Sequence, residues 1–238
     1  MAATPQRNIS EASLRRLATY HRVLQEMLLG GAPTVSCSAI ARVLALDPSQ
    51  VRKDIEATGI TGKPKVGYPL AVLIRWMEDF LGWNNTKQAV LAGAGGLGSA
   101  LLGYRKFREL GMDIVAVFDN DPQKVGQTIH GKQVFFPDKL PSFALDAHIH
   151  LGVITTPAAA AQETAGLMIA GGVRAIWNFA PVHLRVPEFV VVRNEDLYDS
   201  LASLTFKLEK RMAAERQAAA EGGSPVDPGP VLLDAWTW

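Results

Sequence analysis

The six residues Gly93-Ala94-Gly95-Gly96-Leu97-Gly98 constrain this chain more than any other stretch. They follow a short apolar run, Ala89-Val90-Leu91-Ala92, which reads as a buried strand. They open a segment, Gly95 to Leu110, that is predicted to be a helix. In a strand–turn–helix of this G-x-G-x-x-G form each glycine has a task. The first permits the tight turn, the second lets the backbone approach a pyrophosphate, and the third lets the helix close on the strand. The helix N-terminus offers free N–H groups and the positive end of its dipole to the phosphates. A second strand, Ile114 to Phe118, ends at Asp119, 21 residues after Gly98. A carboxylate there accepts hydrogen bonds from ribose hydroxyls and repels a 2′-phosphate, so the pattern favours NAD(H) over NADP(H).

Further strands are predicted at Val134–Phe136, Ile149–Ile154, Ala175–Trp177 and Val190–Val192, with a helix from Thr156-Pro157 to about Ala170. Strands alternating with helices indicate an α/β fold with a Rossmann-type, doubly wound and mostly parallel sheet. Ligands of such sheets cross the carboxyl ends of the strands. Asn120, Thr155, Thr156, Pro157, Asn178, Phe179, Ala180 and Pro181 therefore join the glycine run and Asp119 as candidate cofactor contacts. Thr156-Pro157 also suits helix capping, and Asn178 equally suits a plain turn.

The first 83 residues have a different period. Leu14, Leu17, His21, Leu24 and Leu28 recur at helical spacing until Gly30-Gly31-Ala32-Pro33. A short helix over Ser38–Leu46 follows, with Ile40, Val43 and Leu44 as its apolar face. Asp47-Pro48 starts a third helix, with Asp as cap and Pro at the first position. The third helix turns Val51 and Ile55 inward. Gly59 to Tyr68 reads as a glycine-rich basic hairpin, and Leu70 to Leu81 as an amphipathic helix. Helix, turn, helix and basic hairpin describe a winged helix, whose third helix enters the major groove of DNA. Candidate DNA contacts are Ser49, Gln50, Arg52 and Lys53 on that helix and Lys63, Lys65 and Tyr68 on the hairpin. The charge agrees. Residues 1–70 hold nine Lys/Arg against five Asp/Glu, a local surplus of four on a chain of net charge +1.

The expected organisation is a DNA-binding domain at 1–83, a nucleotide domain at 84–194, a long helix at 195–217 and a flexible tail at 218–238. Leu197, Leu201, Leu204 and Leu208 form a stripe on the long helix that calls for a partner surface. The tail carries Trp236 and Trp238 among prolines and glycines, and no role follows from them. One cysteine, Cys37, excludes a disulfide framework within the chain and fits a reducing compartment as a buried packing residue. No leader pattern and no run of about 18 apolar residues is visible, so a soluble, cytoplasmic protein without membrane or metal is expected.

Taken in order, Leu14-Arg15-Arg16-Leu17, Gln50-Val51-Arg52-Lys53-Asp54, Val66-Gly67-Tyr68, the Gly93–Gly98 run, Phe118-Asp119-Asn120-Asp121-Pro122 and Asn178-Phe179-Ala180-Pro181 resemble the Rex family of redox-sensing transcriptional repressors. The resemblance runs from Ser10 to Arg211. Where the family hairpin reads Gly-Lys-Arg-Gly, this chain reads Gly62-Lys63-Pro64-Lys65. The resemblance implies a homodimer in which the C-terminal helix is domain-swapped, packing between the partner's two domains. It implies operator binding when NADH is scarce and release when NADH binds. It also implies that Arg16, Tyr104 and Asp196 couple cofactor state to DNA-domain orientation. The expected function is a non-enzymatic repressor sensing NADH against NAD⁺. The alternative is a nicotinamide-dependent oxidoreductase or CoA-binding enzyme domain on the same fold. A dehydrogenase needs a proton donor, and His130, His148, His150 and His183 fall in no catalytic pattern. His148 and His150 alternate on a predicted strand and read as structural.

Overall fold

The computed structural model describes residues 9–63, 66–84 and 87–220. The expected DNA contact Lys65 and the tail tryptophans Trp236 and Trp238 lie outside these residues.

Four helices and a small two-stranded sheet build the N-terminal domain. Helix α1 (Glu11–Leu29) starts where the Ser10 hydroxyl accepts from the Ser13 N–H, and buries Leu17, Tyr20 and Leu24. Helix α2 (Cys37–Leu44) is capped by Ser36 and stops at Ala45, which is left-handed at φ 51°. With only eight residues it buries Ile40 and Ala41, while Val43, expected inside, is exposed. Helix α3 (Pro48–Ala57) begins at Asp47-Pro48 as the sequence predicts. Strands β1 (Thr34–Val35) and β2 (Tyr68–Pro69) pair antiparallel, and β2 leads straight into α4 (Leu70–Leu81). The hairpin closes through mutual backbone bonds between Lys63 and Gly67. Gly67 is obligatory, since φ is +88° and a Cβ would stand 2.2 Å from the Val35 carbonyl oxygen.

A buried carboxylate ties α1 to α3. Asp54 Oδ2 accepts from Arg16 Nε at 2.6 Å and from the Tyr20 hydroxyl at 2.8 Å. Its Oδ1 accepts from Arg16 Nη2 at 2.9 Å and from Gln50 Nε2 at 3.1 Å. Burial alone would raise this carboxyl, but the bonds from Arg16 and Tyr20 outweigh it and hold Asp54 below its usual range.

The second domain is a seven-stranded sheet in the order β5-β6-β4-β3-β7-β8-β9. Its strands are β3 (Lys87–Ala92), β4 (Met112–Phe118), β5 (Thr128–Ile129), β6 (Lys132–Phe135), β7 (Leu151–Ile154), β8 (Ala175–Asn178) and β9 (Val191–Asn194). All ladders are parallel except β5 on β6. The chain winds outward from β3 to β4 and β6, then returns to β7 on the other side, so strand order reverses between β3 and β7. Helices α5 (Gly96–Gly103), α6 (Lys106–Glu109), α7 (Leu140–Asp146) and α8 (Ala158–Ala170) connect the strands. The single helix expected to Leu110 divides at Tyr104, whose ψ of 92° is extended. After the break Phe107 meets Trp177 at 5.5 Å between ring centroids. β5 and α7 were not foreseen from the sequence. Strand β7 starts at Leu151, not Ile149, because His148 at φ 51° is still turning; His148 and His150 therefore precede the strand.

Helix α9 (Leu197–Ala220) runs three residues past the expected end. Tyr198, Leu201, Leu204, Phe206, Leu208 and Met212 are all exposed on it.

The folded carboxyl of Asp54 ionises below its unfolded value near 4, so its contribution is present above about pH 4 and lost as pH falls through the lower folded value. Asp54→Asn strands Arg16 and Tyr20 and costs about 2–4 kcal/mol at neutral pH. Urea unfolding at about pH 7 and about pH 3 checks this: the gap between wild type and variant is smaller in acid.

Candidate nucleotide and DNA sites

The glycine turn sits at the reversal between β3 and β7, where open parallel sheets place their ligands. A Cβ on Gly98 would stand 1.9 Å from the Gly93 carbonyl oxygen and 2.8 Å from Thr155 Oγ1. A Cβ on Gly93, at φ +101°, would stand 2.7 Å from the Thr155 carbonyl carbon. The Thr155 hydroxyl reaches the carbonyls of Ala92 (3.0 Å) and Gly93 (2.7 Å), bolting the turn to the end of β7. Gly95 and Gly96 differ: a Cβ on either would meet nothing within 4 Å. Two glycines thus make the turn possible, and two leave its outer surface bare. Gly95 caps α5 with no side chain, so the first N–H groups of that helix face no side-chain acceptor. Leu97 is exposed. At the adjacent strand end Pro157 likewise caps α8 without a side-chain bond. Between the two helix starts lies Thr156 Oγ1, a buried oxygen with no hydrogen-bond partner. An open anion-friendly surface with an unsatisfied hydroxyl beside it fits a dinucleotide phosphate group.

Asp119 ends β4 and is nearly buried. Its Oδ2 accepts from the Ala94 N–H at 2.6 Å and faces Lys124 Nζ at 3.4 Å; its Oδ1 accepts from the Asp121 N–H at 2.8 Å. The carboxylate thus anchors the glycine turn through Ala94 as well as standing where a ribose edge is expected. Neighbouring Asn120 is exposed. Asn178 is wholly buried, and its amide is committed to a turn. Nδ2 donates to the Val182 carbonyl and to Asn194 Oδ1, both at 2.9 Å, and Oδ1 accepts from the Ala180 N–H at 3.0 Å. The turn role applies, and Asn178 acts by positioning its neighbours. Of these Ala180 is buried, Pro181 exposed, and Phe179 stacks on Trp177 at 4.8 Å.

On the N-terminal domain Ser49, Arg52, Lys53 and Lys63 are exposed. Gln50 is half-buried and bonded to Asp54, so its amide steadies α3. Tyr68, an expected DNA contact, is 6% exposed and packs in the core, and its ring lies where a Cβ on Gly62 would come within 2.8 Å. A cavity of about 790 Å³ between α3 and the hairpin is lined by Cys37, Arg52, Glu56, Lys63 and Tyr68 among others. Burial pushes the Cys37 thiol upward, against the pull of Arg52, as befits a packing residue. Among the described residues no group of three His, Cys, Asp or Glu is placed to hold a metal, and no helix is long and apolar enough to cross a membrane.

Arg16, Tyr104 and Asp196 do not bond one another within one chain. Arg16 is bound to Asp54, Tyr104 is exposed beside Phe107 at 4.9 Å, and Asp196 accepts the Tyr198 N–H at 2.8 Å. The buried Asp54–Tyr20 hydrogen bond has no counterpart in the sequence reading. The signal was the spacing: Asp54 falls three residues after Val51 and one before Ile55, on the inward face of α3.

Comparison with known proteins covers both halves. Residues 84–182 match the family model "CoA binding domain", and residues 8–55 match "Putative DNA-binding protein N-terminus". The redox-sensing transcriptional repressor Rex of Treponema denticola is 43% identical over 192 residues, which is 81% of this chain and 91% of that protein. The Rex of Carboxydothermus hydrogenoformans is 43% identical over 202 residues, 85% and 97% of the two chains. Among solved structures, RSP, a Rex-family repressor, superposes with TM-score 0.79 at 30% identity, covering 88% of this chain and 98% of that one. Its complex with NAD⁺ and operator DNA gives TM-score 0.81 at 30% identity over 89% and 97%. With more than four-fifths of its length aligned to full repressors, both modules in order, the chain belongs to the Rex family of redox-sensing transcriptional repressors.

Proposed function

We propose that this chain binds NAD(H) at the β3–β7 reversal and operator DNA through α3 and the hairpin, as a cytoplasmic homodimer that leaves DNA when NADH binds. The carrying observation is the bare outer surface of Gly95 and Gly96 beside the partnerless Thr156 hydroxyl, in one chain with a third helix that exposes Arg52 and Lys53. Solved complexes of the relative RSP contain NADH in one case, and NAD⁺ with operator DNA in another. Arg52, Lys53 and Lys63 supply charge for phosphates and base edges, with Lys65 as a further candidate from sequence alone.

When bound, the nicotinamide ring supplies the signal, since it is cationic when oxidised and neutral when reduced. This chain's residues do the discriminating. Trp177 near the end of β8 and Phe179 just after it give an apolar wall, which disfavours an unpaired charge. Asp119 sets the preference for an unphosphorylated ribose. The exposed stripe of α9 supports the dimer and the swapped helix, because six large apolar side chains in water need a cover. With Arg16, Tyr104 and Asp196 apart in one chain, a partner's helix offers the way to join them. A sensor fits better than an enzyme, because the relatives are redox-sensing transcriptional repressors; His130, His148 and His150 lie before or between strand starts, at the end of the sheet away from the glycine turn, and His183, in the segment after β8, is exposed.

Fluorescence anisotropy of labelled operator tests the whole reading: affinity falls with NADH and stays with NAD⁺, and equal affinity in both sinks it. NADPH in place of NADH leaves the operator bound. Gly98→Ala forces the turn open and lowers NADH affinity at least about tenfold while sparing operator binding; an unchanged NADH titration contradicts the site. Leu204→Arg with Leu208→Arg shifts sedimentation to the monomer and abolishes tight operator binding, whereas an unchanged dimer removes α9 from the interface.

A further inference from the structure

Trp177 occupies the centre of a continuous set of contacts that leads from the nucleotide end of β8 to the DNA-binding domain. On one side its ring packs at a 50° tilt on Phe179 (4.8 Å), within the turn that Asn178 holds. On the other, its indole Nε1 donates to Glu195 Oε1 at 3.2 Å. The same oxygen accepts from Arg193 Nε at 3.1 Å. Arg193 then reaches across the domain boundary and donates through Nη1 to Glu11 Oε1, in the first turn of α1. Glu11 is held from its own helix by Arg15 at 2.8 Å. Arg193 is thus shared between Glu195, two residues away, and Glu11 of the DNA-binding domain, 182 residues away in the chain.

Chemistry favours this as a state-dependent contact. Glu11 and Arg193 are 64% and 43% exposed, so their pair is weak and forms or breaks at little cost as the domains move. The Arg193–Glu195–Trp177 half is different. Trp177 is half-buried, and Glu195 fixes both its indole N–H and the guanidinium. The guanidinium is therefore presented toward α1 by a residue that stacks next to the cofactor end of β8. A shift of Phe179 that turns Trp177 moves Glu195, and with it the groups that hold Glu11.

We propose that Arg193, presented by Glu195 and Trp177, is an interdomain latch on Glu11 that is made in one domain arrangement of the sensor and broken in the other. The proposal rests on the NADH-sensing function argued above. A latch confined to one arrangement shifts the balance between the two, so its removal acts on both ligands with opposite sign. If it belongs to the DNA-competent arrangement, its loss weakens operator binding and strengthens NADH binding; if it belongs to the other, the reverse.

The test measures both affinities separately for the full chain and for Glu11→Gln, Arg193→Gln and the double variant. Operator affinity is read by anisotropy without NADH, and NADH affinity by cofactor fluorescence without DNA. Each single variant is expected to move the two affinities in opposite directions by about two- to fivefold, the range an exposed pair can command. The double variant is expected to move them no further than the larger single, as for two halves of one contact. Both affinities moving together, neither moving, or additive effects in the double overturn the latch. If wild-type operator affinity is itself indifferent to NADH, the sensing function fails and the latch with it. If wild type responds and the variants match it, the latch alone fails.

Discussion

The near-contact between Gly98 and the carbonyl of Gly93, with Thr155 locked beside it, is the constraint on which the nucleotide domain depends. No side chain fits between them, so the first turn of α5 lies directly on the end of β3 and against β7. Asp119 holds the same turn from the β4 side through the Ala94 N–H. Three strand ends are thereby pinned around one loop. As a consequence α5 and α8 both start at the same edge without side-chain caps, an arrangement that suits an anion.

The DNA-binding domain uses a different device, a buried carboxylate satisfied on both oxygens. Asp54 fixes the roll of α3 against α1 through Arg16 and Tyr20, which leaves Ser49, Arg52 and Lys53 turned outward. A buried charge of this kind is worth less as net stability than as orientation, because an apolar replacement would pack without specifying the angle. The recognition helix is positioned by the same network that holds Arg16.

Legibility in the sequence followed range of interaction. Asp47-Pro48, Gly82 after α4 and the Gly93–Gly98 turn are local signals, and the structure places helix starts and stops where they stand. The alternation of strands was readable because each buried run is short and apolar. What escaped depends on partners far away in the chain. Tyr68 looks like a polar hairpin residue until Gly62 and Cys37 are seen around it. The break at Tyr104 accompanies a tertiary contact of Phe107 with Trp177, which helical propensity does not encode. Asn178 read equally as ligand contact or turn, and its four hydrogen bonds with Ala180, Val182 and Asn194 were needed to see the turn. The carboxylates Glu11 and Glu195 gave no signal at all, since each is unremarkable within its own segment.

The central claim is that cofactor and operator compete through two domain arrangements of one protein. Reciprocity tests it most directly, by measuring NADH affinity with and without saturating operator DNA. The account predicts that operator weakens NADH binding by the same factor by which NADH weakens operator binding. An NADH affinity untouched by operator, in a protein that binds both, would contradict it.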